Sequence, residues 1–462
     1  MLKIVTLCTA PVAPQLMDPK SRDEGDTLTT TPFNYTLTAD VLNSDYTPKV
    51  TLSNPFPAGL PKPNASNPVN DGSYRLGSNV NLVLRDQPPE YAQQWNFAIE
   101  RQLAHSTVMS ITYNGNRGVH LPIPSMELNQ ISASNLSQGG SYLTQLVPNP
   151  YYGKFTSGLL ALPNIPREQT LKPFPTFAAA STADAFGGSL NFSRPPVGDS
   201  IYHAMTVKFE RRYTRGLSVT AHYTWSKLLD TGGVGNGNAF NDPSALRDIN
   251  NTRLERSLGS FDIPHRIIAS FSFELPLGRN KMFGHTLWKG PQWLDRAISG
   301  WEIFGFETLQ SSRPVNVGGP DLSRIAGASP SRASVVYGQV DSLPYDVSVA
   351  NARDYDPKCG CTKPWFNPAA FSTTPQFVIP NGPRFLPDVR GGFTRNLDVT
   401  MVKKIRIRER FNMALEGRFY NVMNQVTFAG PSVIAVNSAN FGSAGGVSSD
   451  PRRVEVGGKF TF

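Results

Sequence analysis

Hydrophobic and polar residues alternate with period two along much of this chain, in segments close to the roughly ten residues that cross a bilayer as a tilted strand. The clearest segment is 217–226. Leu217, Val219, Ala221, Tyr223 and Trp225 fall on one face, and Ser218, Thr220, His222, Thr224 and Ser226 on the other. Successive side chains of a strand point to opposite sides, so such a segment has one apolar and one polar face. The design recurs at 94–103, 107–113, 201–213, 265–275, 395–403, 410–421 and 452–462. Segment 299–310 alternates less cleanly, with Phe304 and Phe306 on the side of Glu302. About nine strands are expected, and the alternation alone fits a soluble sandwich as well as a membrane barrel.

The links between these segments separate the two. Short ones follow Leu103, Tyr213 and Lys404; a medium one spans 276–298; long ones span 114–200, 227–264, 311–394 and 422–451. Short and long links alternate. Transmembrane barrels have short periplasmic turns and long extracellular loops, whereas a sandwich has no reason to sort its links. Trp95, Tyr113, Tyr202, Tyr213, Trp225 and Trp301 gather at segment ends, where interfacial girdles place aromatic residues. The expected fold is therefore all-β: an antiparallel transmembrane β-barrel, partial, with long extracellular loops. Residues 1–90, rich in proline around Asn54-Pro55-Phe56-Pro57, read as a loop-rich extracellular segment, and 91–462 as barrel.

Composition sharpens this. Charged residues make up 17% of the 462, below the usual quarter for soluble proteins, while Gly and Pro each number 39. No run of 18 apolar residues offers a membrane helix, which leaves a barrel untouched. The net charge is +9, but Lys and Arg are scattered, with their densest run at 403–408. That is no nucleic-acid patch; outer-membrane lipid and lipopolysaccharide are the anionic partners such charges suit. Cys8, Cys359 and Cys361 are too few for a disulfide framework, and no histidine stands near the close pair to complete a metal site. Gly232-Gly233-Val234-Gly235-Asn236-Gly237 lacks the Lys-Ser/Thr of a phosphate loop. The six histidines show no ligand spacing, and no GxSxG elbow is present. No catalytic residue, metal or cofactor is expected.

Several segments resemble the barrel of TonB-dependent receptors of the Oar-like type: 91–96 (YAQQWN), 113–118 (YNGNRG), 223–227 (YTWSK), 261–266 (FDIPHR) and 419–424 (FYNVMN). The resemblance runs from about residue 30 to the end. It implies a barrel of about 22 strands, an N-terminal plug, uptake of a bulky nutrient, and energy from an inner-membrane complex through TonB. It also implies an amphipathic last strand whose terminal aromatic is read by the barrel-assembly machinery. Phe462 ends the chain, with Phe460 two residues and Gly457 five residues before it; Val456 stands where the usual pattern has a polar residue. No plug-like or TonB-box segment is found, so the TonB complex is expected as a partner only through a plug absent from this chain. Nine strands would leave the two ends on opposite sides of the membrane, and with no signal peptide at the start the chain is expected to be the C-terminal part of a longer barrel. The alternative function is a non-transporting adhesion or glycan-binding surface protein. The substrate is unreadable, because loops set it.

Overall fold

The computed structural model describes residues 2–5, 10–12, 80–82, 87–123, 125–155, 158–177, 190–232, 246–278, 295, 297–318, 325, 332–335, 355–356, 361–362, 366–408, 411–431, 435–438, 440–443 and 447–461. Nine long strands form one antiparallel sheet: β1 (Tyr91–Ala104), β2 (Thr107–Leu121), β3 (Gly198–Thr214), β4 (Leu217–Asp230), β5 (His265–Glu274), β6 (Trp301–Gln310), β7 (Thr394–Arg408), β8 (Phe411–Tyr420) and β9 (Arg453–Thr461). Each pairs with the next in sequence, giving the meander that the alternating segments predict. Arg215 and Gly216, the two-residue link between β3 and β4, have φ of 54° and 83°. Two left-handed residues make the turn whose twist matches its flanking strands, and glycine takes the second position without strain.

Two features differ from the sequence expectation. Several strands outrun their alternating segments. β2 continues from Tyr113 to Leu121, pairing Asn114 with Ala204 and Leu121 with Gly198. Residues 114–118 are Asn-Gly-Asn-Arg-Gly, so backbone pairing goes on where no apolar side chain marks it. The loop expectation for 1–90 also gives way at its start. Leu2–Val5 pairs with residues 98–101 of β1, and Ala10–Val12 with 92–94. These short pieces lie along β1 at the edge of the sheet, beside the nine long strands. Among the described residues no pairing joins the outer edge of these pieces to β9, and the sheet is open.

The register sorts side chains onto two faces across all nine strands. Val219 stands directly opposite Phe271, Tyr223 opposite Ile267, Phe273 opposite Ile303, and Phe419 opposite Val454. The same face carries Phe97, Ile99, Ile111, Leu415, Val456 and Phe460, which are exposed even though they are large and apolar. The other face pairs Thr220 with Ser270 and Arg418 with Glu455, and carries the ion pairs Lys208–Glu210, Lys404–Glu302 and Arg418–Glu416. β6 is the exception, with Phe304 and Phe306 on the polar face and Glu307 on the apolar one. Among the described residues, of 25 buried hydrophobic ones only Ala204 and Val402 lie in the nine strands; the packed clusters sit in the long links. A sheet whose apolar face is uncovered while its links bury a core has its hydrophobic surface turned to something other than protein or water.

Arginine at Val219 or at Phe271 is expected to cost about 2–4 kcal/mol at mid-bilayer, whereas arginine at Thr220 or Ser270 is tolerated. Urea unfolding of the protein in lipid vesicles measures this; equal losses on both faces would overturn the face assignment.

Candidate functional site: an arginine-clasped cap

Every long link leaves the sheet at one end. Residues 122–197, 231–264, 311–393 and 421–452 all connect strand ends opposite the tight turns. They pack on one another. Ile131, Leu136 and Leu143 of the first link bury Ile325 and Phe377 of the third. Val315, Phe366, Phe371 and Leu386 of the third bury Phe441 of the fourth, with Phe366 and Phe441 rings 5.1 Å apart and nearly perpendicular. Edge-to-face rings add roughly 0.5–1.5 kcal/mol beyond the area they bury.

Arginines fasten this cap. The Glu255 carboxylate accepts from the Arg247 backbone N–H at 2.9 Å and its Nε at 3.2 Å, and pairs with Arg332 at 2.5 Å. Arg247 also donates to the carbonyls of Pro380 and Gly382, at 3.0 and 2.8 Å. Gln130 joins the first link, donating to the Arg247 carbonyl at 3.0 Å and accepting from the Ile249 N–H at 2.9 Å. Two further pairs tie the third link to the wall. Arg384 binds the carboxylate of Asp230, the last residue of β4. Arg390 donates to Asp262 at 2.6 Å, and the other oxygen of Asp262 accepts from the Leu228 N–H at 2.6 Å. Burial lowers the Arg384 pKa to about 10, which leaves it charged at neutral pH. Ions taken out of water are costly, so each is held by several partners; removing one partner of such a pair leaves a buried charge at about 3–5 kcal/mol.

Glu168 and Lys172 form another buried pair at 3.7 Å, with side chains 1% and 0% exposed. Burial raises the Glu168 pKa from 4.5 to about 7, against the opposing pull of Lys172.

Beside the cap, a cleft of about 520 Å³ opens between the outer ends of β7, β8 and β9. Asn396, Asp398, Tyr420 and Arg453, all polar-face residues, line it together with Asn421 and Arg452. The Arg453 guanidinium lies 4.5 Å over the Tyr420 ring, and Asp398 accepts from the Asn421 N–H at 2.8 Å. Charged and hydroxyl groups thus surround an aromatic face; among the described residues no three His, Cys, Asp or Glu side chains converge on a metal position.

Of the expected assembly residues, Gly457 lies midway along β9 and Phe460 near the end away from the cap. Gly457 pairs with Glu416 and Phe460 with Met413, and the Phe460 side chain is 64% exposed on the apolar face. Phe462, like Cys8 and Cys359, lies outside the described residues. The clasp had no sequence signature. Two of its pairs join residues 154 and 128 positions apart, and lone arginines and carboxylates in polar links have no period or spacing.

Residues 16–455 match the family model of an outer membrane beta barrel domain. The chain belongs to this family. Its uncovered apolar face therefore meets lipid, its polar face the barrel interior, and its place is the cell outer membrane. No curated protein matches the sequence. Among solved structures, the outer membrane transporter YddB from Escherichia coli aligns at 10% identity and a TM-score of 0.36, over 84% of this chain and 34% of that one. The ferripyoverdine receptor of the outer membrane of Pseudomonas aeruginosa aligns at 10% identity and 0.32, over 81% and 27%. This chain thus spans 34% and 27% of the length of these two neighbours.

Two outcomes are expected of the cap. Glu255→Ala strands Arg247 and Arg332, at about 3–5 kcal/mol; limited proteolysis within 231–264 and 311–393 accelerates while the far-UV strand signal stays unchanged. Glu168 holds a proton in the folded state that the unfolded segment releases between pH 4.5 and about 7. Stability of the first link therefore falls as pH rises through that window and stays low above it. Hydrogen exchange of residues 167–172, corrected for intrinsic rate, should speed up accordingly, and Glu168→Gln should abolish the trend.

Proposed function

We propose that this chain is the C-terminal barrel portion of a TonB-dependent outer-membrane receptor that takes up a bulky nutrient, and that it carries no catalytic activity. One observation carries this reading: the four long links form a packed cap with a polar cleft at its rim, above a wall whose inner face is polar and charged. Capture at the cleft followed by passage along a hydrated wall is the job such an arrangement suits. A family-like set of segments, from 91–96 to 419–424, supports the receptor class. TonB would act through a plug domain, and the barrel-assembly machinery would read the strand bearing Gly457, Phe460 and Phe462. An adhesion or glycan-binding protein would use the same cap without transport.

Uptake separates the two. Cells lacking this gene, and cells depleted of TonB, should lose accumulation of the same member of a panel of radiolabelled iron chelates, cobalamins and oligosaccharides too large for porins. If gene loss leaves every member's accumulation unchanged and instead abolishes surface binding to immobilised glycans, the adhesion reading replaces transport.

A further inference from the structure

The lipid-facing side of β1–β4 carries a cluster that nutrient uptake does not use. Three successive cross-strand rows build it. The middle row is Trp95, Gly115, His203 and Lys227; the row above it, toward the cap, is Gln93, Arg117, Ile201 and Leu229; the row below is Phe97, Tyr113, Met205 and Trp225. The His203 ring stacks on Tyr113 at 6.1 Å and shares a hydrogen bond of 2.7 Å with its hydroxyl. Trp95 meets the same imidazole edge-on at 6.2 Å. Gly115 makes this possible: a Cβ there would lie 2.1 Å from the Trp95 ring, so the indole lies across bare backbone. The result is an aromatic floor at the outer end of the apolar face, held by contacts among its own side chains.

Two exposed cations flank that floor, Arg117 and Lys227. The neighbouring acid on this edge, Asp199, is already paired with Arg256 at 3.3 Å. Below the floor the face is apolar, with Phe97, Ile99, Ile111 and Val207 in consecutive rows. With strands about 4.8 Å apart and residues rising about 3.3 Å, Arg117 and Lys227 are anchored roughly 12 Å apart. A side chain pair so spaced addresses two separate anions, one at each side of a ring-sized headgroup.

We propose that this face binds a phosphorylated, acylated glycolipid of the outer leaflet: Arg117 and Lys227 each take a phosphate, Trp95 and His203 carry the sugar between them, and the acyl chains descend over Ile99, Ile111 and Val207. The proposal rests on the outer-membrane assignment and is independent of what the barrel transports. Phosphatidylglycerol offers one phosphate and no sugar to bridge the floor.

The full chain in an uncharged detergent is titrated with bisphosphorylated lipid A, its monophosphorylated form and phosphatidylglycerol, with bound lipid read by native mass spectrometry and by tryptophan emission. Bisphosphorylated lipid A should bind tightest. R117Q/K227Q should weaken it by about 25-fold, since each cation near an anionic headgroup contributes about five-fold. W95L should remove the emission change. K208Q, which deletes a charge from the polar face, should change neither readout. Unaltered lipid A binding by R117Q/K227Q, or phosphatidylglycerol bound as tightly and lost equally in that variant, would overturn the proposal.

Discussion

Backbone amides in hydrocarbon have no water to bond, and each unpaired group there costs several kilocalories per mole. Everything else in this protein follows from meeting that demand by pairing each strand with its sequence neighbour. Once the ladder is continuous, side chains have only to agree with their surroundings, apolar toward lipid and polar toward the interior. Val219 opposite Phe271 and Thr220 opposite Ser270 are that agreement in one hairpin pair. The wall then needs no packed core of its own, and the chain spends its buried residues elsewhere.

They go to the cap, where water returns and ordinary protein rules apply. Its hydrophobic clusters are small, and the buried arginines supply the connection that a large core would otherwise give. Asp230 and Asp262 hold a special place among their partners. The first ends β4, and the second caps the Leu228 amide of the same strand, so the third link is fastened to the wall rather than only to other links. The rim cleft is positioned by the same means, because Asn421 is held by Asp398 at the mouth of β7.

Much of the wall was legible in the sequence, because a face that meets lipid writes itself as alternation. Segment 217–226 and the first ten residues of β4 coincide for that reason. Residues 114–118 of β2 were missed because they extend past the apolar band, where either face may be polar and glycine is allowed. The pairing of Leu2–Val5 and Ala10–Val12 with β1 was missed because pieces of four and three residues are too short to show a period. Phe304 and Phe306 show the converse: apolar residues on the polar face of a strand whose place is set by its neighbours' backbones. The cap was illegible throughout, since Arg384 and Asp230 become partners only through a fold that brings positions 154 apart together.

That difference in span has a kinetic meaning. Most wall contacts close hairpins, and the widest wall pairing reaches from Thr107 to Arg211, whereas the ties from Gln130 to Arg247 and from Asp230 to Arg384 join residues 117 and 154 positions apart. Contacts of long sequence separation form late, because chain entropy must be lost before they reward it. The widest cap ties, which need β4 and the third link both in place, are therefore expected among the last contacts to form. A protease or chaperone that senses those open links is in effect reading whether the wall behind them has been finished.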